Sequence, residues 1–313
     1  MISVIVPYFN DSPRIHKCLT SILEQDFLPS EIILVDDFSD DSDVLLDIID
    51  TLDFGAIKFT YLRNSQNMNG AFSRNRALDS LSVHSEYCCF LDADDFWDTS
   101  YLKQCISSIG ECDFIYSSSI RLSNDGEFLS QNFPSNINSL GNPFDLVALR
   151  PPIINTFFFK RNVASTIRFD EKLKRHQDYQ YLIEVIISGF EIQRMTFCSA
   201  YYFESHRPKS QRINYDSMLL FWDEYRHLIT KDILDKKLLW SIIPVLPKHY
   251  IVSREYDCIN EIDHIDIYRI FFRLNSVLIK KTFSAIILTL KYQDFSFLDT
   301  FSFKKLLKKY LLS

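Results

Sequence analysis

The sequence predicts an α/β protein with a mainly parallel sheet flanked by helices. Three observations predict it. Over the first 95 residues, short β-branched runs alternate with segments of helical apolar spacing, the pattern of strands joined by helical crossovers. Polar or acidic clusters follow three of those strand runs, and in such sheets ligands bind beyond the carboxyl ends of the strands. Hydrophobic residues make up 47 % of the 313 and charged residues 24 %, a balance that builds a real core rather than a disordered chain.

The elements follow in order. "ISVIVPYF" is a first strand, and "SPRIHKCLTSILEQDF" a helix with Ile15, Leu19, Ile22 and Leu23 on one face. "EIILVDD" is the second strand, and "SDDSDVLLDIIDTL" a helix with Ser and Asp ready to cap it. "IKFTYLRN" is a third strand, "GAFSRNRALDSL" a third helix with Gly70 at its approach, and "EYCCFLDADD" a fourth strand. Beyond it the pattern loosens. "CDFIYSSSIRL" reads as a strand, residues 123–145 as loop, "NTFFFKR" as a strand and "DYQYLIEVIISG" as a helix. Residues 216–313 read as helical and aromatic, and residues 267–313 hold nine Lys or Arg against two Asp.

Composition excludes several classes. A net charge of −7 disfavours general nucleic-acid binding, which selects basic surfaces. Seven scattered cysteines with no C-x-x-C spacing fit reduced thiols in a cytoplasmic protein, not a disulfide framework or a zinc site. There is no secretory-signal pattern at the start and no run of 18 apolar residues. Oligomeric state leaves no signal.

The acidic clusters carry the chemistry. "FLDADDFWD" places Asp92, Asp94, Asp95 and Asp98 at one strand end. D-x-D spacing suits a hard divalent cation, Mn²⁺ or Mg²⁺, which shares its shell with substrate phosphates. The plainer alternative is capping of a helix from about Ser100, which accounts for Asp98 or Thr99 but not for the other three together. "LVDDFSDD" is a second acidic strand end, where a carboxylate can accept from a base N–H or a ribose hydroxyl, or cap a helix. Arg74 and Arg76 sit early in a helix, against the macrodipole, which suggests an anionic partner or simple solvation. Asp178, at another helix start, is a cap or a general base. In "YYFESHRPKSQR", His206 and Arg207 are either structural or phosphate-facing.

Taken together and in order, "SVIVPYFN", "IILVDDFSDD", "NGAFSRNRAL", "FLDADDFW", "HQDYQYL" and "FESHRPKS" resemble the family 2 glycosyltransferases, over roughly residues 1–215. The chain looks like bacterial members that build O-antigen or capsule units. The resemblance implies the GT-A fold and an inverting, metal-dependent transfer from a UDP-sugar. It implies a glycan acceptor, such as a lipid-diphosphate-linked sugar. It places Pro7 and Phe9 at the nucleotide pocket, Asp37 on the uracil with Asp36 beside it, Arg74 also at the base, and Asp92 toward the ribose or metal. Asp94 becomes the direct metal ligand, Asp178 the catalytic base and His206 a diphosphate contact. Asp95 contacts donor or acceptor or supports the metal ligands, and Arg207 is a diphosphate or acceptor contact. Phe38, Gln177 and Glu204 depart from the family pattern at the base pocket, before the base and in the histidine loop.

The domain expectation is a nucleotide-sugar half over 1–110, an acceptor half over 111–215 and a helical region over 216–313. The last mixes basic and apolar residues at helical spacing. That suits peripheral contact with an anionic inner membrane, or packing on the catalytic domain with lysines reaching water. Two other functions compete: a nucleotidyltransferase on a similar scaffold, and a non-catalytic nucleotide-sugar or glycan-binding module.

Overall fold

In the computed structural model, residues 1–204, 214–247 and 255–262 are described. The chain divides into two compact units, Met1–Met218 and Leu219–Ser313. His206, Arg207 and the basic segment 267–313 lie outside the described residues.

In the first unit, strands β1 (Ile2–Tyr8), β2 (Glu31–Asp36), β3 (Lys58–Arg63) and β4 (Tyr87–Phe90) pair in parallel in the order β3-β2-β1-β4. Register puts Tyr8 opposite Asp36, and Asp36 opposite Arg63, so the strands end together along one edge. The strands themselves set the two faces. Val4, Val6, Tyr8, Ile32 and Leu34 point one way into a core shared with Ile15, Cys18, Leu19 and Ile22 of α1 (Ser12–Leu23) and Leu45 of α2 (Ser42–Asp50). The period-2 alternation turns Ile5, Ile33 and Val35 to the other face. Helix α3 (Gly70–Asp79) packs on β1 and β2, with Ala71, Ala77 and Leu78 buried. β2 is buried along its whole length, as expected of a parallel strand covered on both sides.

The sheet continues through β8 (Phe158–Lys160), β6 (Phe114–Leu122), β9 (Ile192–Phe203) and β5 (Phe96–Trp97), with β7 (Phe128–Asn132) beside β6. Here orientation is mixed. β8 is antiparallel to both β4 and β6, β5 to β9 and β7 to β6, while β6 and β9 run parallel. The loop expected over 123–145 thus contains a strand, β7, whose first four residues are exposed. The long strand β9 was unmarked in the sequence: one edge pairs with β6, and exposed residues interrupt its apolar pattern.

Helices α4 (Tyr101–Ser108), α5 (Arg161–Thr166) and α6 (Gln177–Ile187) complete this unit. The cap of α4 is Ser100 rather than Asp98 or Thr99; Asp98 instead accepts from the Ser100 N–H and hydroxyl at 3.1 and 2.7 Å. The second unit is described from Leu219. Trp222, Leu219, Cys258 and Ile259 are buried there, and Arg226 pairs with Asp257 and Glu261. No helix among the described residues is long and apolar enough to cross a membrane.

Candidate active site

The strand-end carboxylates of β2 do different work from those after β4. Asp36 is fully buried. Its Oδ1 accepts from the Ser39 N–H, and its Oδ2 from the Ser42 and Tyr61 hydroxyls at 2.6 and 2.9 Å. These bonds close the turn from β2 into α2. Asp37, also buried, accepts on Oδ1 from Asn64 Nδ2 and the Met68 N–H at 2.7 and 2.8 Å, and on Oδ2 from the Asn69 N–H at 2.8 Å. A carboxylate offers about four acceptor positions, so one on Asp37 remains. Asn69 sits in the left-handed region at φ 86°, and its side chain accepts from the Ala71 and Phe72 N–H groups. Asp37 and Asn69 together fix where α3 starts.

Pro7, next to last in β1, is half-buried, and Phe9, just after the strand's last residue Tyr8, has 39 % of its surface exposed. Phe38 is also exposed, at φ 63°, with its ring 5.4 Å from the Arg63 guanidinium. Asn10 ties these turns together, donating its N–H to Ser39 Oγ and accepting from the Asp40 N–H. Phe9 and Phe38 are thus two exposed aromatic rings on braced turns that follow β1 and β2.

After β4, carboxylate oxygens of Asp92, Asp94 and Asp95 lie within 4.8 Å of one another. Each is held differently. Asp92 is paired with Arg74. Asp95 is buried, and its Oδ2 accepts from Asn155 Nδ2 at 2.9 Å. Asp94 is the most open of the three, with Arg14 Nη1 3.4 Å from its Oδ2. Burial, and then the charge of Asp92, push the Asp94 carboxyl up to about 6, while Arg14 pulls it down. Burial and its two neighbours push Asp95 well above the usual carboxylate range. This surplus of negative charge on hard oxygen donors is what a divalent cation would neutralise. The residues therefore fit Mn²⁺ or Mg²⁺.

Arg74 joins this cluster to α6. Its guanidinium meets Asp92, donates from Nη1 to Gln177 Oε1 at 2.8 Å and lies 5.5 Å from the Phe169 ring. A Cβ on Gly70 would stand 3.0 Å from that Nη1 and 3.3 Å from the Gln177 oxygen, so a larger residue there would have to push the Arg74 and Gln177 side-chain ends back by a few tenths of an ångström. The anionic partner that the helix position of Arg74 suggests is Asp92. Arg76 instead donates to the Arg63 carbonyl and Asn64 Oδ1.

A cleft of about 360 Å³ opens there, lined by Arg74, Asp92, Lys174, Arg175, Gln177 and Asp178 among others. Asp178 is half-buried in the first turn of α6, its Oδ1 accepting from the Tyr179 N–H at 3.0 Å. Burial raises its carboxyl to about 6, against the Tyr179 N–H and the Arg74 and Arg175 charges, which lower it. The structure thus brings Arg74, Asp92 and Asp178 into one cleft, with Asp94 and Asp95 beside Asp92. Glu204, in the histidine loop, pairs with Arg121 at 2.6 Å.

Three residues of this site carried no sequence signal. Asn155 holds Asp95 from before β8. Arg14 reaches Asp94 from α1, with Asp11 gripping its other nitrogens. Ser217 pins the approach to α6, accepting the Lys174 and Arg175 N–H groups at 2.7 and 3.0 Å.

The sheet and its flanking helices are those of the GT-A glycosyltransferase fold. The chain belongs to glycosyl transferase family 2, whose model matches residues 3–167. It is 30 % identical over 254 residues to the amylovoran biosynthesis glycosyltransferase AmsB of Erwinia amylovora, covering 75 % of this chain and 81 % of AmsB. A shorter match, 30 % over 107 residues, is to an Escherichia coli UDP-Glc:alpha-D-GlcNAc-diphosphoundecaprenol beta-1,3-glucosyltransferase, covering 34 % of this chain and 40 % of that enzyme. The crystal structure of S. aureus TarS 1–349 in complex with UDP-GlcNAc superposes with a TM-score of 0.58 at 17 % identity, covering 99 % of this chain and 91 % of that one. The protein is a glycosyltransferase with relatives in polysaccharide and lipid-linked sugar synthesis. That membership displaces the nucleotidyltransferase and the non-catalytic module.

Proposed function

We propose that this enzyme transfers a sugar from a UDP-sugar, with inversion and with a divalent metal, to a glycan acceptor of the lipid-diphosphate-linked kind used in O-antigen or capsule synthesis. The observation that carries the reading is one cleft lined by both Asp178 and the Arg74–Asp92 pair, with two further carboxylates beside Asp92. Phe9, Phe38 and Pro7 flank the base, and the remaining acceptor position of Asp37 takes a base N–H. Asp36 supports that pocket from beneath, because its oxygens are already spent on Ser39, Ser42 and Tyr61.

Asp94 and Asp92 are the metal ligands, with Asp95 behind them. Bound there, Mn²⁺ or Mg²⁺ supplies a Lewis acid for the departing diphosphate. Arg74 holds Asp92 in place and adds positive charge on the same side. Asp178 takes the proton from the acceptor hydroxyl as its oxygen attacks the anomeric carbon. The carbon–oxygen bond to the diphosphate breaks on the opposite face, and UDP leaves with the electron pair. A carboxyl raised to about 6 is still mostly ionised at neutral pH, yet basic enough to accept that proton. His206 and Arg207 are further diphosphate or acceptor contacts on sequence grounds alone.

The same grounds place the enzyme in the cytoplasm, with residues 267–313 against the anionic inner face of the cytoplasmic membrane. A chain ending near residue 265 that bound anionic vesicles as well as the full chain would remove that placement.

The test is a panel of nucleotide sugars with Mn²⁺ and a synthetic GlcNAc- or GalNAc-diphosphate-lipid. Glycoside formation from a UDP-sugar, abolished by chelation and restored by metal, is expected. Undiminished transfer after chelation would contradict the metal assignment, and a preference for a GDP- or dTDP-sugar the donor assignment.

A further inference from the structure

The cleft holds more positive charge than the donor side accounts for. Arg74 is committed to Asp92 and Gln177. Lys174 and Arg175 also line it, and both are exposed. Neither side chain pairs with a carboxylate among the described residues; the charge of Arg175 is felt by Asp178. Exposed cations usually sample many positions, but the backbone here is fixed. Both N–H groups converge on the buried Ser217 hydroxyl, and Gln177 Nε2 donates back to the Leu173 carbonyl at 2.6 Å. His176, held at φ 61°, then turns the chain into α6. Two lysine- and arginine-bearing positions are therefore set at a defined distance in sequence, four and three residues, before the carboxylate that faces the acceptor hydroxyl.

We propose that Lys174 and Arg175 recognise a phosphate group carried by the acceptor, so that the enzyme selects a phosphate-bearing glycan or glycolipid over a neutral sugar. The inference rests on Asp178 marking the acceptor side of the cleft. A forked guanidinium beside a compact ammonium matches phosphate oxygens, and pairing there leaves Asp178 free for the hydroxyl. The phosphate belongs to a lipid diphosphate or to a phosphodiester within the glycan; the chemistry recognised is the same.

The test is equilibrium binding to the full chain at saturating UDP and Mn²⁺. The probes are a short-chain prenyl diphosphate, the matched prenyl alcohol and a glycosyl phosphodiester. The Lys174→Ala/Arg175→Ala double variant is expected to bind at least one phosphate probe tenfold or more weakly, with UDP affinity within twofold and the alcohol unaffected. The Lys174→Arg/Arg175→Lys exchange should keep binding within about threefold. Loss confined to the diphosphate points to the lipid linkage, and loss confined to the phosphodiester to the glycan; both support the proposal. Equal loss of UDP affinity would assign these cations to the donor and overturn it. So would unchanged binding, or a wild-type chain that binds neither phosphate probe. Because binding needs no turnover, the proposal can stand even if Asp178→Asn retains transfer and the base assignment falls.

Discussion

The carboxylates after β2 and the carboxylate that opens α6 make an instructive contrast. Asp36 and Asp37 are buried and enclosed by donors from three segments of chain. Asp178 is half-buried and accepts only one N–H, from its own neighbour Tyr179, among the bonds resolved around it. The first pair is built to hold loops in place. The second is poised, because desolvation without full compensation lifts it into the range where a proton can move both ways. Local hydrogen bonding, not residue type, separates these bracing aspartates from the proposed base.

The comparison breaks most visibly at Asp178. Asp178→Asn keeps the shape and removes the proposed base, so kcat should fall about 10³-fold, while UDP affinity measured by calorimetry stays within twofold. In the wild type the same group should set an acid limb. The rate should drop about tenfold per pH unit below about 6 as Asp178 protonates. A flat profile down to pH 5 would remove Asp178 from the proton transfer.

The bracing side should fail differently. Asp36→Ala strands the Ser39 N–H and the Tyr61 hydroxyl around a buried gap, while the Ser42 hydroxyl keeps the Ser39 carbonyl as its acceptor. At about 1 kcal/mol or more for each orphaned group, the loss should be about 2 kcal/mol, read as a lowered midpoint in urea. An unchanged midpoint would mean that the turn is held by other contacts.

A smaller effect of opposite sign is expected at Asp95. Its folded-state pKa is raised above the unfolded value by burial and by Asp94 and Asp92. Its contribution to stability is therefore greatest at low pH and is lost as pH rises through the folded pKa. Asp95→Asn removes that loss and can still accept from Asn155. With chelator present, the variant should melt higher than wild type at pH 8, and the gap should close toward pH 4. A lower melting temperature at pH 8 would show that Asp95 is stabilising as an anion.

The half of the molecule that could be read from sequence is the half whose elements are set locally. From β1 to β4, strand runs, helix spacing and the acidic strand ends are contiguous in the chain, and the elements lie close to where the pattern puts them. The second half depends on distant pairing. β9 is specified by β6, about eighty residues earlier, and β7 by β6 across an irregular register. The same limit applies within the site. "FLDADDFW" announces a metal-type cluster, but nothing in it says that Asp92 is taken by Arg74, Asp95 by Asn155, and Asp94 left most open. Those distinctions arise from partners 18 to 80 positions away. Lys174 and Arg175 read as ordinary surface charge until the fold places them in the cleft with Asp178.

The central claim is a single displacement at the anomeric carbon with Asp178 as base. The most direct measurement is the anomeric configuration of the product, read from its proton coupling by NMR, after transfer from a UDP-α-sugar. A β-glycoside is the predicted result. An α-glycoside would mean retention and would contradict the role given to Asp178.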